Sequence, residues 1–261
     1  MRLIYTDDGS ISAYNDAYND YYHDKKGALI ESIYKHIIPA FNIINKSHIR
    51  ILDICFGLGY NSFLSLVFAK KSNIKVDVYS VEIDLSLLKE LHNFPYPKII
   101  SNYLEIDRIF DCINNDKIFV DSNSSLNVFR GDALYFMNTL DSGFFDIVYQ
   151  DAFSPSKNQL LWNEKHFLSL YRILGDRGAV TTYSSAKKVR DIARFCGFGI
   201  FDMKFANFKN GTLCTKGIYD IKDLDAYVFL DASNYVETNF LENVNFYLTK
   251  YQVFNANVCY L

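Results

Sequence analysis

Apolar positions along the chain follow two alternating periods. Residues 28–45, ALIESIYKHIIPAFNIIN, carry apolar side chains at helical spacing, and Pro39 is expected to bend or divide that helix. HIRILDICF (48–56) is an apolar run of strand length, of the kind a parallel sheet buries on both faces. Helical spacing returns at 61–71, with Asn61 or Ser62 as the cap and Phe63, Leu64, Val67 and Phe68 on one face. KVDVYSVEID (75–84) is a second, β-branched strand ending in acids, followed by a short helix over 85–92. The alternation continues as strand 126–130, helix to Leu140, strand FFDIVYQDAF, helix 164–174, strand 178–183, helix 186–196 and strand 199–205. A turn at 209–211 then leads towards Leu213. This order predicts an α/β fold with a doubly wound, mostly parallel sheet.

Three stretches break the rhythm. Residues 1–27 are polar, Tyr-rich and aperiodic, with one short strand at 2–5. Residues 93–125 read as a helical insertion, with a helical piece near 103–113 and a polar turn at DSNSS. Residues 217–261 are acidic and aromatic, and are expected to be an extension of unassigned role to a domain spanning 1–216.

Composition narrows the class. With 49% apolar and 22% charged residues the chain is expected to bury a core. No basic start precedes an apolar run, and no uncharged stretch approaches the roughly 18 residues of a spanning helix, so no membrane association is expected. The five cysteines are odd in number and lack CxxC spacing, which points to a reducing cytoplasm and to no metal site. Net charge is −3, yet residues 151–216 hold eleven Lys and Arg against five Asp and Glu, a basic segment in an acidic protein. Such a segment can face phosphates, and it can equally be an ordinary solvated helix face.

The chemistry falls at strand ends, where open α/β sheets bind ligands. After the first core strand comes Asp53-Ile-Cys-Phe56-Gly57-Leu-Gly59-Tyr-Asn61, whose glycines admit a close backbone approach before a helix N-terminus. It is neither a GxGxxG fingerprint nor a phosphate loop, and alone it supports only a nucleotide-like ligand. Glu82 ends the second strand, where an acid can accept ribose hydroxyls. Asp132 and Ala133 follow the third, where an acid can accept from an adenine amino group, and Asp151 follows the fourth. Together the four strand ends have the layout of Rossmann-like class I methyltransferases. That layout implies a seven-stranded sheet and S-adenosyl-L-methionine as cofactor.

The segment FDIVYQDAFSPSKNQLLWNEKHF is more specific. It resembles the methyltransferase half of the MnmC family, which finishes the 5-methylaminomethyl group on wobble uridines of tRNA. The family signature D-G-F-A-P-x-K-N-P-x-x-W is matched by Asp151, Ala152, Phe153, Ser154, Pro155, Lys157, Asn158 and Trp162. FGLGYNSF, YSVEID, GDALYFM and NDYYHDKKGALIES resemble other blocks of the family in the same order, over about residues 15–216. Cys55 stands where the family usually has the first loop glycine, Ala152 replaces Gly, and Gln159 replaces Pro.

The resemblance implies N-methylation of the 5-aminomethyl group of the wobble uridine. Asp151 would hold the amine and receive its proton, and Phe153 would stack on the extruded base. Phe56, Gly57, Gly59, Asn61, Glu82, Asp132, Ala133, Asp151 and Tyr22 would hold the cofactor, with Tyr21, Tyr22 and His23 closing over it. Pro155, Lys157, Asn158, Lys187, Lys188, Arg190, Lys204 and Lys209 would meet the tRNA anticodon arm. The family's fused FAD-dependent oxidase has no counterpart in the sequence, which implies a stand-alone methylating form supplied with its aminomethyl intermediate by a separate FAD-dependent or other enzyme. His36, His48, His92 and His166 lack metal spacing and are read as structural or solvated. The rival readings are a methyltransferase acting on a small molecule or protein, a polyamine-synthase-like aminopropyl transferase, and a non-catalytic RNA-binding module.

Overall fold

The computed structural model describes residues 1–44, 46–203 and 209–217. Lys204 and residues 218–261, nearly all of the predicted extension, lie outside the described residues.

The N-terminal segment is more ordered than its sequence suggests. It forms a three-stranded antiparallel sheet of β1 (Arg2–Tyr5), β2 (Ile11–Asn15) and β3 (Asp20–Tyr21). The DDGS turn organises it. Asp8 accepts from Thr6 Oγ1 (2.8 Å), Ser10 N (2.9 Å) and Ile30 N (3.0 Å), and Ser10 Oγ accepts from Ala28 N (3.0 Å). These bonds satisfy the first amides of α1 (Ala28–Ser32), which has no side-chain cap of its own. The acceptor lies 22 residues from the amide it serves, so no local pattern announces it.

The predicted helix over 28–45 is α1, a π-helical turn at Ile33–Ile37, and α2 (Ile38–Ile43). Pro39 explains the division. It has no amide hydrogen, and its ring collides with the carbonyl four residues back, that of Lys35. The wider π turn relieves the clash without ending the helix. Lys35 and His36, both on this turn, are buried.

The central sheet begins with β4 (His48–Ile54), α3 (Tyr60–Ser72) and β5 (Lys75–Glu82). Then come α4 (Leu85–Glu90), α5 (Lys98–Ser101), α6 (Ile106–Asn114), β6 (Phe119–Asp121) and β7 (Ser124–Arg130). The chain continues through α7 (Ala133–Asn138), β8 (Phe145–Gln150), α8 (Glu164–Ile173), β9 (Leu174–Thr182), α9 (Lys187–Phe195), β10 (Gly199–Met203) and β11 (Gly211–Thr215). The strand order is β10-β11-β9-β8-β4-β5-β7-β6. The five strands from β9 to β7 run parallel, and β6, β10 and β11 pair antiparallel.

The sheet has eight strands, one more than expected. The extra strand is β6, inside the insertion, where Asp121 pairs with Ser124 and the polar DSNSS turn closes a hairpin. At three residues, β6 is too short to display a period of two.

Both faces of the sheet are covered. Phe41, Phe63, Leu66 and Phe110 centre one layer, and Met137, Phe167, Leu170 and Ala193 the other. The chain grows outward from β4 to β5 and β7, then returns to β8 on the opposite side of β4. Strand order therefore reverses between β4 and β8, and their carboxyl ends open the crevice in which such sheets hold ligands.

Candidate active site

A cleft of about 1010 Å³ occupies that crevice. One wall is the loop between β4 and α3. Cys55, Gly57 and Gly59 have φ of 68°, 55° and 80°, so three of five consecutive residues are left-handed. Gly59 must be glycine, because a Cβ there would lie 2.8 Å from Phe56 Cζ and 2.9 Å from Phe63 Cε2. Cys55 adopts a conformation that costs an L side chain roughly 1–2 kcal/mol, which is the physical reason a glycine suits this position.

Glu82 fastens the loop. Its Oε2 accepts from Gly57 N (2.9 Å) and its Oε1 from Asp84 N (2.8 Å). Burial raises its carboxyl above the ordinary glutamate value despite these bonds. Each oxygen has a further lone pair with which to accept a ligand hydroxyl.

Asp151 stands opposite, just past β8. Its Oδ2 accepts from Asn61 Nδ2 at 2.7 Å, and His36 Nε2 lies 3.4 Å from its Oδ1. Burial alone would raise this carboxyl; the neighbouring His36, then His23 and the Asn61 amide, outweigh it and hold Asp151 below the usual aspartate range. It is thus a half-buried anion across the switch point from the glycine loop.

The signature residues after Asp151 form a small scaffold. Trp162 Nε1 donates to the Phe153 carbonyl (2.7 Å) and Tyr183 Oη to the Ala152 carbonyl (2.9 Å). The Lys157 and Asn158 amides close a turn on the Ser154 carbonyl (2.8 and 2.9 Å). Phe153 stacks on Tyr18 with ring centroids 4.4 Å apart and tilts against Tyr22 at 5.2 Å. The rings stand at the cleft, with Tyr22 also facing Gly57.

Of the residues expected from sequence, Tyr22, Phe56, Gly57, Asn61, Glu82, Asp151, Phe153, Pro155, Asn158 and Lys209 line this cleft. Asp132 and Ala133 follow the next strand out and are not in its lining. Asp132 accepts from Tyr135 N (2.9 Å) as the N-cap of α7, an ordinary task for an acid before a helix. Lys157 and Lys188 are exposed, and Lys187 is exposed and paired with Asp191 at 2.6 Å. Arg190 departs from its expected role. It reaches Asp202 Oδ1 (2.6 Å), Thr212 Oγ1 (2.9 Å) and the Gly211 carbonyl (3.1 Å), so its donors tie α9 to β10 and β11.

The structure adds residues that the sequence did not single out. Lys35 lines the cleft, paired with Glu31 at 2.8 Å. Tyr18 joins the aromatic group. His36, read as structural, contacts Asp151. His48 on Asp77 (2.6 Å) and His166 on Gln150 (2.6 Å) fit the structural reading, and burial pushes His166 down to about 3.

Among the described residues no group of three or more His, Cys, Asp or Glu is arranged to hold a metal ion, and no helix is long and apolar enough to cross a membrane. The cleft does fit a nucleoside bearing an amino-acid tail. Gly57 leaves the space beside the Tyr22 ring that a Cβ would narrow to 3.4 Å, and Asn61 Oδ1 is a buried acceptor without a partner.

Comparison with known proteins agrees with this geometry. A family model described as an S-adenosyl-L-methionine-dependent methyltransferase matches residues 100–217. An uncharacterized protein of Methanocaldococcus jannaschii is 30% identical over 212 residues, covering 80% of this chain and 57% of that one. The tRNA 5-methylaminomethyl-2-thiouridine biosynthesis bifunctional protein MnmC of Campylobacter hominis is 29% identical over 196 residues, covering 71% of this chain and 28% of that one. The chain thus spans little more than half of one curated relative and under a third of the other. The crystal structure of MnmC2 from Aquifex aeolicus superposes with a TM-score of 0.70 at 26% identity, covering 96% of this chain and 85% of that one. Cleft, fold and relatives converge: the chain carries an MnmC-like methyltransferase domain whose cofactor is S-adenosyl-L-methionine.

Proposed function

We propose that the chain methylates the primary amine of 5-aminomethyluridine at the wobble position of tRNA, giving 5-methylaminomethyluridine. The observation that carries this reading is the pairing of an ionised Asp151 with the Phe153, Tyr18 and Tyr22 rings at one end of the cofactor cleft. A cationic or hydrogen-bonding amine suits the carboxylate, and a flat base extruded from its stack suits the rings.

Glu82 would accept from the ribose, the loop from Phe56 to Asn61 would hold the methionine end, and Asp132 and Ala133 lie one strand further on for the adenine. When bound, S-adenosyl-L-methionine supplies an electrophilic methyl group on a sulfonium sulfur. The chain's own residues supply position and charge. The amine must be neutral when it attacks, because its lone pair makes the new N–C bond as the methyl group's bond to sulfur breaks. Asp151 draws the amine in, orients its N–H bonds and stabilises the positive charge that grows on nitrogen. It then receives or relays the proton that the secondary amine sheds. Holding the two reactants in line supplies much of the acceleration, about 7 kcal/mol or more in favourable cases.

Lys157, Lys187, Lys188 and Lys209 form the phosphate-facing rim of this reading, and tRNA binding should weaken steeply with added salt. A separate enzyme would supply the aminomethyl intermediate. The test is complementation. In a strain whose tRNA stops at the aminomethyl stage, expression of this chain should convert that nucleoside to the methylated one. Accumulation of the unmethylated nucleoside despite soluble protein would overturn the proposal.

A further inference from the structure

The methyl acceptor meets Asp151, and the structure contains a buried histidine behind that carboxylate. His36 is fully buried. Its Nδ1 lies 2.9 Å from Thr181 Oγ1, its ring edge meets Tyr149 at 5.4 Å, and its Nε2 is buried without a well-formed hydrogen bond, 3.4 Å from Asp151 Oδ1. The groups facing the imidazole are Asp151 after β8, Tyr149 on β8, Thr181 on β9 and His23 after β3; Asp53 on β4 adds its field to Asp151.

The tautomer follows from the partners. A carboxylate only accepts, whereas a threonine hydroxyl donates or accepts. A neutral His36 therefore satisfies both neighbours one way: Nε2–H towards Asp151, with Nδ1 accepting from Thr181. Asn61 already donates to the other carboxylate oxygen at 2.7 Å. The Asn61 bond on one oxygen and the imidazole edge 3.4 Å from the other hold the plane of the carboxylate and leave its outward lone pairs to the cleft.

We propose that His36 is the positioning residue for the methyl acceptor, fixing the direction in which Asp151 meets the amine. The inference rests on the reading of Asp151 as the amine's partner. Asp151 is held below the usual aspartate range, so the group that His36 orients is a charged carboxylate.

The test compares His36→Leu, His36→Gln and the unaltered protein in methyl transfer to aminomethyl-bearing tRNA. His36→Leu should lower kcat/KM about 10-fold or more, as expected when a charged acceptor loses one donor, and His36→Gln, which keeps an N–H in reach, should recover most of it. Equal kcat/KM in His36→Leu and the unaltered protein, or no recovery in His36→Gln, would overturn the proposal. A second measurement needs neither turnover nor a folded Leu variant. Nitrogen-15 NMR of labelled histidine should show the proton of the neutral His36 ring on Nε2. A proton on Nδ1 would overturn it. Absence of tRNA methylation by the unaltered protein would instead refute the proposed function and leave the NMR result to judge His36.

Discussion

The two ends of the cleft are built in opposite ways. The end proposed for the methyl donor is local: a glycine loop between β4 and α3 is fastened by one carboxylate, Glu82, from the adjacent strand. The end proposed for the acceptor is assembled from afar. Asp151 and Phe153 follow β8, Asn61 opens α3, His36 sits on a π turn, and Tyr18 and Tyr22 flank β3. A backbone loop suits a ligand shared by many enzymes, since glycines and amide groups recognise it without side chains. An acceptor particular to one enzyme needs side chains gathered from several elements. The distinction predicts that damage at one end should leave the other working.

The largest effect is expected at Asp151. Asp151→Ala should lower turnover by roughly 10²–10⁴-fold, while calorimetry shows S-adenosyl-L-methionine binding within a few-fold of normal; joint loss of both would erase the distinction. Glu82→Ala should do the reverse, weakening cofactor binding by roughly 10–100-fold, as expected when buried loop amides lose their acceptor. Phe153→Ala should raise the KM for tRNA about 5-fold or more, within the range of base–aromatic stacking, without changing cofactor affinity.

Smaller effects test the frame beneath the site. Asp53 is fully buried, its Oδ2 accepts from Ser62 Oγ at 2.6 Å, and burial raises its carboxyl well above the ordinary value. A group that keeps its proton to higher pH in the fold favours folding at acid pH and loses that contribution as pH rises through its folded pKa. Asp53→Asn should therefore melt higher than the unaltered protein at pH 8, by an amount that shrinks towards pH 4; a pH-independent difference would refute the assignment. Cys55→Gly should add about 0.5–1 kcal/mol in denaturant unfolding by relieving the left-handed strain, less the extra entropy of glycine.

Sequence reading put Phe56, Gly57, Asn61 and Glu82 at the cleft, because they sit at the ends of strands with a clear apolar pattern, whereas Asp132 and Ala133, expected beside them, fall outside its lining. Asp151 and Phe153 were legible for the same reason, helped by the nearby Trp162 whose indole holds the Phe153 carbonyl. Less of the acceptor end was legible. Tyr18 owes its place to the turn between β2 and β3, where its amide donates to Asn15 Oδ1 (3.1 Å), and His36 to the π turn before Pro39; neither turn shows in hydrophobic spacing. Arg190 carries the opposite lesson: its partners Asp202 and Thr212 come from strands that only the fold brings beside α9.

The most direct test of the account is transfer of labelled methyl from S-adenosyl-L-methionine to tRNA carrying 5-aminomethyluridine, followed by nucleoside analysis. The label should appear in 5-methylaminomethyluridine alone, with none on tRNA that lacks the aminomethyl group. Label in another nucleoside, or no transfer by a protein that binds S-adenosyl-L-methionine, would contradict it.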